Sequence, residues 1–211
     1  MKFKFLFYIA GSMMFFTACN HSKNYMLEGD ITGLVNPALY IVTSLGHDSK
    51  IDTIFSKEGK FNFTASSDSV EPVILYMEDG DVWITVWAQD GDTVRIAGDA
   101  YYPELIKSDG NEINDLLTGF RQGNKEIIKE KTDIADDSIK TDLNQTLIEN
   151  THCFIKEHPA SIASLVLIQD YLMESEDPVM IGEALALIEN PAKENKLYIR
   201  LNAICQRLQQ E

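Results

Sequence analysis

Residues 108–121 read SDGNEINDLLTGFR, and the fold turns on how that stretch is divided. Before it, from Tyr25 to about Ile106, apolar residues recur with a period of two. Beyond Asn111 they fall at Ile113, Leu116, Leu117 and Phe120, the i, i+3, i+4, i+7 spacing of a helix that buries one face. The stretch is therefore a border between strands and helices. Blocks of strands followed by blocks of helices define an α+β chain of two adjoining modules.

Working back from the border, short alternating runs occur at 26–32, 39–42, 51–55, 61–64, 73–77, 82–87 and 93–97. Seven strands at such close spacing predict an antiparallel β-sandwich or open barrel over 25–106. The turn Lys57-Glu58-Gly59-Lys60, flanked by alternating residues, predicts a hairpin in which Gly59 supplies the positive φ. Working forward, 107–211 forms a helical domain. Its first helix, 112–121, is extended by 125–131, and 132–138 is a polar break. A long helix at 139–157 ends at Pro159, and another over 161–172 buries Ile162, Leu165, Ile168 and Leu172. Asp177-Pro178 has the form of an N-cap with proline in the first turn, opening 179–189, and 191–208 is a last amphipathic helix.

The N-terminus carries a different kind of information. Lys2 and Lys4 precede an apolar run of 12 residues, Phe5 to Phe16, too short to span a bilayer comfortably. Thr17 and Ala18 then lead into Cys19, and this arrangement resembles the lipobox of bacterial lipoproteins, with Phe16 where leucine is usual. The resemblance implies a signal peptide over 1–18, acylation of the Cys19 sulfur, and a tether over 19–24. Two or more acyl chains anchor stably where one does not. The alternative is an ordinary signal peptide cut near Ala18 with a free cysteine. Asn20 to Asn24 contains no acidic run of the kind that marks surface lipoproteins in some anaerobic Gram-negative bacteria. The expected location is thus the bacterial cell envelope, on a periplasm-facing leaflet of the outer or inner membrane.

Composition excludes more than it assigns. The 211 residues are 45% hydrophobic, enough for a real core, and the formal charge is −15. Such a charge disfavours nucleic acid, whose phosphates need clustered Lys and Arg, and leaves the attraction to a membrane to the lipid. The histidines, 21, 47, 152 and 158, have no metal-ligand spacing. His152 and Cys153 are consecutive and diverge on a helix, and His158 suits a helix end through the dipole. The pairs Asp79-Gly80-Asp81 and Asp90-Gly91-Asp92 suit turns and lack the remaining ligands of a calcium loop. No cofactor motif is present. Cys153 and Cys205 are either buried thiols or a disulfide joining two helices. Trp83 and Trp87 share a strand face and suit core packing, whereas Tyr101-Tyr102 is the better candidate for ligand contact. Four Asp-Ser/Thr-aliphatic tripeptides resemble an O-glycosylation signal, of which Ser138, in the polar break, is the most accessible.

Several of these segments together resemble a known family. Gly29-Asp30-Ile31-Thr32-Gly33-Leu34, Ile51-Asp52-Thr53, Glu58-Gly59-Lys60-Phe61-Asn62-Phe63 and Gln89-Asp90-Gly91-Asp92-Thr93-Val94-Arg95-Ile96 look like the domain of unknown function (DUF4369 type) at the N-terminus of thioredoxin-like lipoproteins. Ser108 to Leu116 resembles that family's junction, and His158-Pro159-Ala160-Ser161 its helical linker. The family's catalytic domain carries a Cys-x-x-Cys pair, which these 211 residues do not contain. Exchange chemistry needs a low-pKa thiol with a resolving partner, so no redox role passes to Cys153 or Cys205. The expectation is a non-catalytic, lipid-anchored accessory or binding module. Its alternatives are a glycan- or peptide-binding lipoprotein, or an oxidoreductase component that works with a separate thioredoxin-like protein or another envelope protein.

Overall fold

The computed structural model describes residues 24–35, 38–43, 50–77 and 83–210. Cys19, His21, His47 and Asp79-Gly80-Asp81 lie outside the described residues, as does the expected signal peptide. The chain is α+β, as its periodicity predicts, and its described residues form eight strands in two sheets followed by six α-helices. The strands are β1 (Tyr25–Thr32), β2 (Ala38–Thr43), β3 (Lys50–Phe55), β4 (Lys60–Ala65), β5 (Glu71–Met77), β6 (Trp83–Ala88), β7 (Thr93–Asp99) and β8 (Lys107–Asp109). One sheet is ordered β4-β1-β7-β8 and the other β3-β2-β5-β6. The arrangement is sandwich-like, with the inner faces supplied by the alternating residues. Leu27, Ile31, Phe61, Val94 and Ile96 of the first sheet meet Leu39, Ile41, Val73, Leu75 and Val86 of the second in one buried cluster.

Three details sharpen the expected sandwich. The described residues form eight strands where about seven are expected, because β8 pairs antiparallel with β7 at Ala97–Lys107 and Arg95–Asp109. The sheet therefore continues past residue 106. The pairing is not wholly antiparallel either: β1 runs parallel to β7, with Leu27 beside Val94 and Ile31 beside Gly98. The turn at Gly59 is the expected two-residue hairpin turn, but its arms stay paired for a single bridge. Glu58 and Gly59 both have positive φ, 54° and 80°, and Lys57 and Lys60 bond each other's backbone at 2.9 and 3.0 Å. The arms then part, β3 to pair with β2 and β4 to pair with β1. Gly59 has no room for a side chain, since a Cβ there would lie 2.1 Å from the Ile31 carbonyl oxygen. The turn is a corner from one sheet to the other.

The helices are α1 (Glu112–Gly123), α2 (Lys125–Asp133), α3 (Asp137–Glu157), α4 (Ile162–Leu167), α5 (Pro178–Leu187) and α6 (Lys196–Leu208). A π turn, Ile168–Leu172, continues α4. Side-chain caps set most of the starts: Asn111, Asp136, Ser161, Asp177 and Asn195 each accept a backbone N–H of the first turn. Asp177-Pro178 is the cap expected from its sequence. The break before α3 spans only 134–136, so Ser138 sits within the first turn of a helix. The last helix begins at Lys196 rather than 191, after a 3-10 turn at Ala192–Glu194. Its apolar face is covered, with Leu197, Leu201 and Cys205 in the helical core beside Leu165, Leu172 and Leu185. Among the described residues no helix is long and apolar enough to cross a membrane.

Candidate functional site: the cleft between the modules

Helix α1 is fastened to the β-domain along one polar face. Asn111, Asn114 and Thr118 follow the i, i+3, i+7 rule, like the apolar residues of the opposite stripe. The Trp87 N–H donates to Asn114 Oδ1 at 3.0 Å, and Asn114 Nδ2 donates to the Trp87 carbonyl at 2.8 Å. Asn111 Nδ2 donates to the same carbonyl and to Asp92, each at 2.8 Å. Thr118 accepts from the Ser108 N–H and donates to its carbonyl, at 2.9 and 2.7 Å. Trp87 completes the joint. Its neighbours Val86 and Ala88 face the sandwich, while its own side chain is buried in the helical core.

Beside this joint the modules leave a cavity of about 1130 Å³. One wall is β-domain, with Pro72, Ile74, Ile84, Thr85 and Trp87; the other is helical, with Val166, Met173 and Leu197. The polar part is built around Arg121 at the end of α1. Its guanidinium lies 2.9 Å from Asp170 in the π turn, the two side chains 16% and 28% exposed. Burial raises the Asp170 carboxyl above its ordinary range, against the pull of Arg121. Burial also raises the Glu104 carboxyl, opposed by Lys131 and Arg121 and reinforced by Asp170 and Glu174. Glu104 has no ion pair among the described residues. Behind the lining, Trp87 Nε1 and Arg121 Nε are buried with no hydrogen-bond partner among the described residues. At the mouth Lys196 reaches across to Glu71 at 3.1 Å, and Arg200 bonds Gln169.

The residues singled out from sequence lie elsewhere. Tyr101 and Tyr102 meet edge-on with centroids 4.7 Å apart, outside the cavity lining. The Tyr102 hydroxyl donates to Asp133 at 3.1 Å, and Lys129 stands 5.2 Å from its ring. That pairs the segment after β7 with α2, which gives Tyr102 a structural contact of its own. Cys153 and Cys205 are free thiols and form no disulfide, Cys153 exposed and Cys205 buried. Burial raises the Cys205 thiol. Ser138 is exposed and its N–H is held by the Asp136 cap. His158 ends α3 and packs on the Phe154 ring at 4.5 Å. Among the described residues no cluster of His, Cys, Asp and Glu could hold a metal ion. Sequence reading missed the cavity's polar residues because they come from separate segments, Arg121 and Asp170 being 49 positions apart. One signal was present: Arg121 stands one turn beyond Leu117, next to the apolar stripe.

Fold and site together define a class: a two-sheet β-domain locked to a helical module, with a ligand-sized cleft at the joint. Residues 25–117 match the family described as Domain of unknown function (DUF4369), and that part of the chain is such a domain. The match runs through β8 and into α1 as far as Leu117, so it takes in Asn111 and Asn114 of the joint. No curated protein and no solved structure matches the chain.

Proposed function

We propose that this protein is a non-catalytic binding module, held at a bacterial envelope membrane by lipid on Cys19, whose ligand occupies the cleft between β-domain and helices. The cleft carries the reading. It has the size of a small-molecule or short-polymer site, apolar walls, and a few convergent polar groups. Among the described residues its lining holds no histidine or cysteine, and two of its carboxylates, Glu71 and Asp170, are paired with cations. The lipid half of the reading rests on the basic, apolar and small residues that lead into Cys19.

Two measurements test it. Cells fed an alkyne palmitate should label the wild-type protein and not Cys19→Ala; equal labelling would remove the anchor from Cys19. Calorimetry with pools of oligosaccharides and peptides should give binding that the paired change Arg121→Met and Asp170→Leu abolishes. Replacing both charges together avoids leaving one buried and alone. Binding lost instead on changing Tyr101 and Tyr102 to alanine would move the site to the tyrosine pair. Binding of neither pool would sink the cleft reading.

A further inference from the structure

Strand β6 is the edge of its sheet. Pro72 of β5 stands opposite Trp87 and has no N–H to give. The Trp87 N–H and carbonyl point the other way, off the edge, where the Asn114 carboxamide takes both. A carboxamide presents an N–H and a C=O side by side, as a peptide unit does. It therefore occupies the place that a neighbouring strand would fill. Antiparallel pairs alternate between bonded and non-bonded. Thr85, two residues back and opposite Ile74, thus also turns its N–H and carbonyl off this edge, and Thr85 lines the cleft. The sheet is continued by one side chain at Trp87, and one step further on no strand among the described residues pairs with this edge.

We infer that an extended peptide adds to β6 at Thr85 as a further strand within the cleft, and that the peptide carries basic side chains. This rests on the cleft reading and deepens it. Main-chain bonds at a sheet edge supply affinity, and pockets beside it supply specificity. The charge of the cleft chooses among peptides: five acidic side chains line it against three basic ones, and Glu104, with Lys131 and Arg121 near it, forms no ion pair among the described residues. A lysine or arginine reaching Glu104 would complete it.

The test is selection of random octapeptides displayed on phage, using the full-length protein in detergent micelles. Selected peptides should carry Lys or Arg at alternate positions. Thr85→Pro removes the outward N–H at an edge where proline is tolerated, and should weaken binding by about tenfold or more, the loss of one good hydrogen bond. In parallel, hydrogen exchange at the Thr85 amide should slow when peptide is added, a readout that survives if the proline variant folds poorly. Unchanged affinity in Thr85→Pro, or no slowing at Thr85, overturns strand addition. Binders without basic residues overturn the charge assignment. Oligosaccharide binding with no selected peptide overturns this inference and leaves the cleft reading standing; if nothing binds, both fall.

Discussion

Replacing Asn114 with alanine should reveal how much of the joint depends on one carboxamide. Asn114 is fully buried, and it is the acceptor for the Trp87 N–H at 3.0 Å. Its loss leaves that N–H buried and unbonded, a cost of about 1–3 kcal/mol. The Trp87 carbonyl suffers less, because Asn111 still donates to it at 2.8 Å. Adding the small cavity left by the amide brings the total to about 2–4 kcal/mol. Asn111→Ala removes a helix cap and one of two donors to that carbonyl, so about 1 kcal/mol is expected. The two changes share one carbonyl, which only the double variant leaves with neither donor. The double should therefore exceed the sum of the singles by about 1 kcal/mol. Urea unfolding of the four proteins, followed by tryptophan fluorescence, measures all three quantities. An Asn111 variant as damaging as the Asn114 variant, or strict additivity, would refute the shared-carbonyl account.

Three further outcomes follow from geometry described above. Glu104→Gln should stabilise the protein more at pH 7 than at pH 4: burial raises the carboxyl in the fold, so the stability it permits is full below the unfolded pKa and is lost as pH rises through the folded one. Urea titrations at the two pH values check this, and an equal gain at both would contradict it. Gly29→Ala should lower stability by about 1–3 kcal/mol, since its Cβ would lie 2.1 Å from the Phe61 ring. Gly119→Ala, in open space on α1, should raise stability by about 0.5–1 kcal/mol; thermal unfolding of the pair gives opposite signs or the packing argument fails. Cys153 should react with a thiol reagent in the native state and Cys205 only after unfolding, as peptide mapping of the labelled protein would show.

What the sequence made legible was whatever is decided within a few residues. The change of period near Asn111 located the border, and Asp177-Pro178 located a helix start, because both depend on local chemistry. Which strands pair was hidden. The turn at Gly59 is locally that of a hairpin, and only the company kept by β3 and β4 shows that the chain crosses between sheets there. Three-residue β8 is too short for a period, and it exists through its bonds to β7 and Thr118. Asn111, Asn114 and Thr118 formed a visible polar stripe, but a polar stripe on a helix ordinarily means solvent. The cleft was least legible, since its polar residues are drawn from loops and helix ends whose meeting depends on the whole fold.

Trp87 has a consequence for how such a protein can be taken apart. Its strand belongs to the sandwich and its indole to the helices. Cutting the chain between modules would strip the helical core of an aromatic plug and bare that same ring on the sandwich. A helical module grafted onto another sandwich would have to find a tryptophan in the matching place. A recombination that parts the two halves would have to replace the packing of this one ring on both sides of the break.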